Sequence, residues 1–261
     1  MLAQERRSRI VELVNTRGAA SLAELSQLIG ASESTVRRDI EQLSRTGLVV
    51  RVHGGATKAS SSDLVLVDQV ISERCALNTA EKDAIGAFAA SLIGPDDLVY
   101  IDAGTTTSAV VDHLTETRAT YMTNSLPIAQ HLLLRGCRTL VPSGELKPVT
   151  EAIVGEAAVE SIRPYNFTIG FFGTNGADVR TGFTTPDPGE ACVKRVAMEH
   201  TLHAFVLCDA SKFSKVSLVT FAEFGSANII CDSATDEIRL AMAHEQQRKA
   251  TIELVEVATG K

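Results

Sequence analysis

Only five cysteines are present, Cys75, Cys137, Cys192, Cys208 and Cys231, and no two of them form a C-x-x-C pair. An odd, scattered set excludes a disulfide framework and a cysteine zinc site. His200 and His203 stand three residues apart without a third ligand, so no metal site and no cofactor are expected. No apolar run approaches the ~20 residues that cross a bilayer. No apolar core follows the charges of residues 1–7, which argues against a signal peptide. A reducing cytoplasm is the expected setting. The loops contain neither a P-loop lysine nor a nucleophile elbow.

What is there is an ordinary globular composition, 44% hydrophobic and 22% charged, over 261 residues. That length accommodates one large domain or two smaller ones. The formal charge of −7 is unevenly spread. Residues 1–58 hold nine Lys/Arg against six Asp/Glu, a net +3, and the remainder holds 16 against 26, a net −10. A basic head on an acidic body points to a polyanion partner for the head.

The head reads as three helices and a hairpin. Ile10, Leu13 and Val14 mark one apolar face over residues 5–16, with Gly18 as a stop. Ser21-Leu22-Ala23-Glu24 is a capping box, opening a helix that buries Leu22, Leu25, Leu28 and Ile29 before Gly30 turns the chain. Ser32 caps a third helix over 33–46, ended by Gly47, with Val36, Ile40 and Leu43 as its buried stripe. At ~21 Å it is long enough to lie in a DNA major groove. Ser34 and Arg38 point away from the stripe, Glu41 and Gln42 lie beside them, and Thr35 and Arg37 flank them. Small hydroxyls suit base edges and phosphates, and guanidinium groups suit bidentate contact with guanine or phosphate. Residues 48–53 alternate as a strand and Gly54-Gly55 make a tight turn, so Arg51 and His53 sit on a wing that can touch the DNA backbone. Together these features describe a winged helix-turn-helix, with Ser21, Ser32, Ser34, Thr35, Arg37, Arg38, Gln42, Arg51 and His53 as candidate DNA contacts. A net +3 is modest, so tight binding calls for two or more heads per complex.

A small, polar stretch near 57–63 reads as the start of a linker, giving a DNA-binding domain over 1–57, a linker over 58–72 and an α/β domain over 73–261. In the last of these, strand and helix signals alternate. Helices are expected at 79–92, 107–116, 126–135, 150–162, 189–201 and 235–247, and strands at 98–101, 121–123, 139–141, 167–172, 204–208 and 228–231. Such alternation predicts a mostly parallel sheet covered by helices, with ligands at the carboxyl ends of the strands. Five loops fall there. In 102–108, Asp102, Gly104, Thr105, Thr106 and Thr107 surround a helix start that can hold a phosphate. Asn124 and Ser125 follow the next strand, Lys147 lies in a third loop, and Asn175 and Asp178 in a fourth. Lys194 sits on the helix after that, and Lys212 follows Asp209. Amides, carboxylates and hydroxyls suit sugar hydroxyls, and lysines suit a phosphate. Apolar faces fit a homo-oligomer.

Five stretches give the chain a resemblance to the DeoR family of bacterial transcriptional regulators: residues 34–40 (Ser-Thr-Val-Arg-Arg-Asp-Ile), 51–56 (Arg-Val-His-Gly-Gly-Ala), 102–107 (Asp-Ala-Gly-Thr-Thr-Thr), 123–125 (Thr-Asn-Ser) and 209–213 (Asp-Ala-Ser-Lys-Phe). The resemblance implies a repressor of a carbohydrate operon whose C-terminal domain, similar to the ribose-5-phosphate isomerase fold, binds a phosphorylated sugar. The chain departs from the family pattern at Ser143-Gly144 and at Cys231-Asp232. Where the isomerases carry Asp-Gly-Ala-Asp, this chain has Asn175-Gly176-Ala177-Asp178, and the run after it has no lysine. An amide takes up no proton near neutral pH, so recognition without chemistry is expected.

Overall fold

The computed structural model describes residues 3–17, 19–45, 49–52, 54–58, 64–65, 74–249 and 252–259. The chain divides into two compact units, residues 1–62 and 63–261.

The first unit holds helices α1 (Ala3–Arg17), α2 (Leu22–Ile29) and α3 (Glu33–Arg45) with strands β1 (Ala19–Ser21), β2 (Val49–Val52) and β3 (Gly55–Lys58). The strands form an antiparallel sheet of order β1-β3-β2. The capping box is present: Ser21 Oγ accepts from Glu24 N at 3.2 Å, and Glu24 Oε2 accepts from Ser21 N at 2.8 Å. Gly30 takes the left-handed conformation at φ 69° that ends α2. Ile10, Val14, Leu25, Ile29, Val36, Ile40 and Leu43 form one core with Val49 and Ala56 of the wing. Leu28 departs from expectation, being 48% exposed, and Leu22 is only partly buried. An eight-residue helix has room for one buried stripe, and Leu25 and Ile29, four apart, occupy it. Gly18, Gly47 and His53 lie outside the described residues.

The second unit contains, in chain order, β4 (Leu64–Val65), α4 (Thr79–Ser91), β5 (Leu98–Ile101), α5 (Thr105–Asp112), β6 (Thr120–Thr123), α6 (Leu126–Leu134), β7 (Arg138–Leu140), β8 (Glu145–Leu146), β9 (Ile153–Val154), α7 (Glu156–Ile162), β10 (Phe167–Gly173), β11 (Gly176–Asp178), β12 (Gly182–Thr185), α8 (Pro188–Glu199), β13 (Thr201–Leu207), β14 (Val216–Ser217), β15 (Val219–Ala222), β16 (Asn228–Cys231), α9 (Asp236–Arg248) and β17 (Leu254–Glu256). Seven strands form the main sheet, in the order β17-β16-β13-β10-β5-β6-β7. Every pairing within it is parallel. Successive side chains serve opposite faces: Tyr100 and Met122 enter one core, Val99, Ile101 and Tyr121 the other. Helices α4, α5 and α6 cover the second face through Ile85, Val110 and Ile128, while α7, α8 and α9 cover the first through Ile162, Val193 and Ile238.

The strand order sets the place of the site. From β5 the chain steps outward through β6 to β7, then returns to the opposite side of β5 as β10 and steps outward the other way. A crevice opens where the direction reverses, beyond the carboxyl ends of β5 and β10.

Several expectations need correction. The linker expected at 58–72 includes strand at both places where it is described. Lys58 ends β3, and β4 pairs in parallel with β14. A polar composition conceals pairing that depends on a distant strand. The helix expected at 150–162 begins only at Glu156, because residues 145–154 form the β8–β9 hairpin. Ile153 and Val154 are β-branched and suit a strand. The helix expected at 79–92 ends at Ser91, with Leu92 as its C-cap. The antiparallel sheet β11-β12-β15 and the edge strand β17 were not expected; short strands carry little periodicity of their own.

Helices α4 and α5 meet at Gly86, where an added Cβ would stand 2.5 Å from the carbonyl carbon of Ala109. Replacing Gly86 by Val forces these helices apart under the site. Thermal unfolding is expected to show a loss of about 1–3 kcal/mol. An unchanged Tm would show that the two helices separate freely.

Candidate functional site

Two surfaces concentrate the candidate residues, one in each unit. On the first, Val36, Ile40 and Leu43 anchor α3, which leaves Ser32, Ser34, Arg37, Arg38 and Gln42 exposed and Thr35 half-buried. Ser32 Oγ lies 2.8 Å from Thr35 Oγ1 and 3.0 Å from Ser34 Oγ, so three hydroxyls cluster at the helix start. Arg37 and the wing residue Arg51 line one groove with Leu22, Val52 and Gly54. Ser21 is occupied as the cap of α2.

Sequence reasoning missed Asp39. It is buried on the inner side of α3 and accepts from Arg6 Nε at 2.5 Å and Arg7 Nε at 3.2 Å. This ties α3 to α1. Its signal was a carboxylate on the buried stripe, three residues from Val36.

In the second unit, the crevice beyond β5 and β10 is lined by Gly104, Thr105 and Thr106 on one side, Gly173 and Thr174 on another, and Asp209, Ser211 and Lys212 on a third. Arg74, Leu77, Asn78 and Lys82 complete it. The start of α5 therefore lines the crevice, and a helix start favours an anion through its dipole. Burial pulls the ammonium of Lys82 below its usual range, and the carboxylate of Asp209 opposes that fall. Lys212 is lowered in the same way, by burial against Asp209, with Arg74 adding to the fall. Three cations and one carboxylate thus share the lining, a net +2. One oxygen of that carboxylate, Asp209 Oδ2, is buried without a hydrogen-bond partner.

Beneath this floor lies a buried ion pair. Lys194 Nζ donates to Asp102 Oδ2 and, at 3.2 Å, to the carbonyl of Gly173. Gly173 N donates to the same carboxylate oxygen at 3.0 Å. Burial pushes the Asp102 carboxyl above its usual range, and Lys194 and the Gly173 amide pull against that shift. Asp102 Oδ1 and Tyr100 Oη are buried without partners. Thr107 Oγ1 lies 2.6 Å from the Asp102 carbonyl and 3.0 Å from that of Gly104, closing the loop on itself.

Of the residues singled out in sequence, Gly104, Thr105, Thr106 and Lys212 line the crevice. Asp102, Thr107 and Lys194 form its buried support. Asn124 Oδ1 accepts from Ala103 N at 3.0 Å, bracing the loop from β6, and Ser125 caps α6. Three residues stand apart from the lining. Lys147 is held by Asp187 and Glu190, each at 2.9 Å. Asn175 Oδ1 accepts from Thr185 Oγ1 at 3.3 Å. Asp178 Oδ1 accepts from the amides of Arg180 and Thr181, both at 3.0 Å, closing the β11–β12 turn. Partial burial pushes the Asp178 carboxyl up, but those amides outweigh it and hold it below its usual range.

Arg74, Leu77, Asn78 and Lys82 come to the crevice from a stretch where no site residue was foreseen. Lys82 falls on the same helix stripe as Ile85 and Ala89, both fully buried. A lysine on an apolar stripe was the available signal.

Two family models match the chain: a DeoR-like helix-turn-helix domain over residues 6–62 and a DeoR C terminal sensor domain over residues 77–233. Among similar curated proteins, an uncharacterized HTH-type transcriptional regulator FruR of Bacillus subtilis is 37% identical over 90% of this chain and 93% of that one. The glycerol-3-phosphate regulon repressor of Escherichia coli is 31% identical over 88% and 90%. A lactose phosphotransferase system repressor of Staphylococcus epidermidis is 30% identical over 89% and 92%. A solved structure, ribose 5 phosphate isomerase A from Neisseria gonorrhoeae, aligns at 10% identity and a TM-score of 0.38, over 51% of this chain and 52% of that one. With a reading helix in one unit and a sensor domain in the other, matched along most of their length, the chain belongs to the DeoR family of helix-turn-helix transcriptional regulators.

Proposed function

We propose that the chain is a cytoplasmic repressor of a carbohydrate-catabolic operon, released from its operator by a phosphorylated sugar, and that it performs no catalysis. The observation that carries this reading is the crevice lining. The start of α5, Arg74, Lys82 and Lys212 converge at the switch point of the sheet, with a net +2 that complements a phosphate monoester dianion. The repressors of similar sequence are named for a glycerol-3-phosphate regulon and a lactose phosphotransferase system.

In this reading the unit of residues 1–62 contacts DNA and the unit of residues 63–261 senses the metabolite. The hydroxyls of Ser32, Ser34 and Thr35 meet phosphates or base edges. Arg38 and Gln42 read bases, and Arg37, Arg51 and His53 hold the backbone. Two or more copies bind together, because one head offers few cations against a duplex. The effector acts by linkage: it binds one arrangement of the heads more tightly, and DNA affinity falls reciprocally by ~5–150-fold. Asp209 supplies an acceptor for a sugar hydroxyl beside the phosphate. Isomerisation is not assigned, because the position that would carry a base is Asn175.

Thermal unfolding with sugar phosphates, each beside its free sugar, is the first test. A ligand at 100 times its Kd stabilises by ~2.7 kcal/mol, enough to move Tm by several degrees. A shift with a phosphorylated compound and none with its free sugar is expected; no shift with any phosphate would sink the reading. Thr105→Val is expected to abolish that shift while leaving operator affinity intact, and loss of the fold instead would make the loop structural. Arg38→Ala is expected to cost ~1–3 kcal/mol in operator binding and to relax sequence preference; a uniform loss on all DNA would reduce Arg38 to a phosphate contact. Effector affinity is also expected to fall about tenfold from pH 7 to pH 5. The phosphate loses its second charge near pH ~6, while the lysines stay protonated. A flat titration over that range would point to a carboxylate or neutral ligand.

A further inference from the structure

The segment from Arg74 to Asn78 contributes half-buried and exposed residues to the crevice, and it lies immediately before the rigid helix α4. Asn78 has an unusual conformation there. It is the N-cap of α4, a position where its side chain would ordinarily accept from an amide of the first turn. It makes no such bond and stands in the left-handed region at φ 51° and ψ 47°. Its amide reaches out of the helix instead, donating to Asp209 Oδ1 at 2.8 Å and lying 3.4 Å from Ser211 Oγ. A cap has been given up for a contact 131 residues away. Local rules broken without local benefit mark positions held by the tertiary structure, where function is often found.

Upstream of Asn78 the carbonyl of Arg74 accepts from Lys82 Nζ and, at 3.3 Å, from Leu77 N. Arg74 is close enough to Lys212 to disfavour the charge on that lysine. The crevice thus sets three cations, Arg74, Lys82 and Lys212, against the single carboxylate of Asp209. An anion placed on Lys212 and the α5 amides removes that repulsion and attracts the Arg74 guanidinium in its place. Because Asn78 is the last residue before a fixed helix, a change in Arg74 turns about Asn78.

We propose that Arg74 is a ligand for the effector phosphate, carried on the segment 74–78, and that this segment is hinged at Asn78. This rests on the reading of the crevice as a phosphate site and adds to it the element through which occupancy is passed on.

Cys75 gives a reporter inside the segment. It is exposed, and among the described cysteines only Cys192 is also exposed, so a Cys192→Ser background isolates it. The full chain is probed with inorganic phosphate against chloride at equal ionic strength, reading both Tm and the rate at which a maleimide modifies Cys75. Phosphate is expected to raise Tm and to slow Cys75 modification severalfold. In Arg74→Gln, a Tm rise is expected to persist at reduced size while the effect on Cys75 disappears. In Asn78→Gly, which keeps the left-handed backbone but removes the tie to Asp209, Cys75 is expected to react fast with or without phosphate. A Tm rise in the parent protein with an unchanged Cys75 rate overturns the proposal and leaves the phosphate site standing. No Tm rise with phosphate or with any sugar phosphate overturns both. Slowing of Cys75 that survives Arg74→Gln in full overturns the role of Arg74.

Discussion

The carboxylate of Asp102, carried off the end of β5, meets the ammonium of Lys194 from α8 and the amide of Gly173 from the end of β10. Those two strands bound the switch point, so this one cluster joins the lips of the crevice from below. Removing two charges from water costs several kcal/mol per ion, and their attraction repays it only with good geometry and further hydrogen bonds. Lys194 has a second acceptor in the Gly173 carbonyl, and Phe221 lies 5.6 Å beneath its ammonium. The net gain in stability is small. What the pair supplies is position: the 102–107 loop and the 173–174 turn are tied together from below, and the start of α5 lines the space above.

That floor explains why residues of one chemistry have different roles around it. Lys194 is neutralised by Asp102, and Lys147 by Asp187 and Glu190, so neither offers a charge to a ligand. Lys82, Lys212 and Arg74 share a single carboxylate, Asp209, and line the space. The excess of positive charge is local, inside a unit that is acidic as a whole. Desolvation sharpens it, because an ammonium half out of water gains more from an arriving phosphate than an exposed one does. The same comparison separates the arginines of the head. Arg6 and Arg7 are spent on Asp39 and hold α3 against α1, while Arg37 and Arg38 face outward from that braced helix.

Much of this was legible in the sequence where the determinants are local. The capping box at Ser21 and Glu24, the stripe of Val36, Ile40 and Leu43, and the apolar runs of β5, β10, β13 and β16 depend on residues a few places apart, and they appear as read. The Gly-Thr loop at 104–106 was legible for the same reason, since a helix start needs only its own amides. Leu28, the helix expected from residue 150, and the linker at 64–65 were misread because each depends on a partner far along the chain. A solvent-facing leucine and a buried one look alike until the neighbouring helix is placed, and a two-residue strand exists only because β14 lies beside it.

The amino-acid sequence by itself determined the two-part architecture, the winged helix-turn-helix, the parallel α/β character of the second unit and the Gly-Thr loop that starts α5. All of these follow from periodicity, capping and composition over short windows. Only the tertiary structure decided which polar residues share a site. It brought Arg74, Asn78 and Lys82 to Gly104 and Lys212, and it separated Lys147, Asn175 and Asp178 from them. Strand order is the physical reason: the reversal between β5 and β10 chooses which loop ends converge, and strand order is fixed by packing across the whole sheet, which no short window contains.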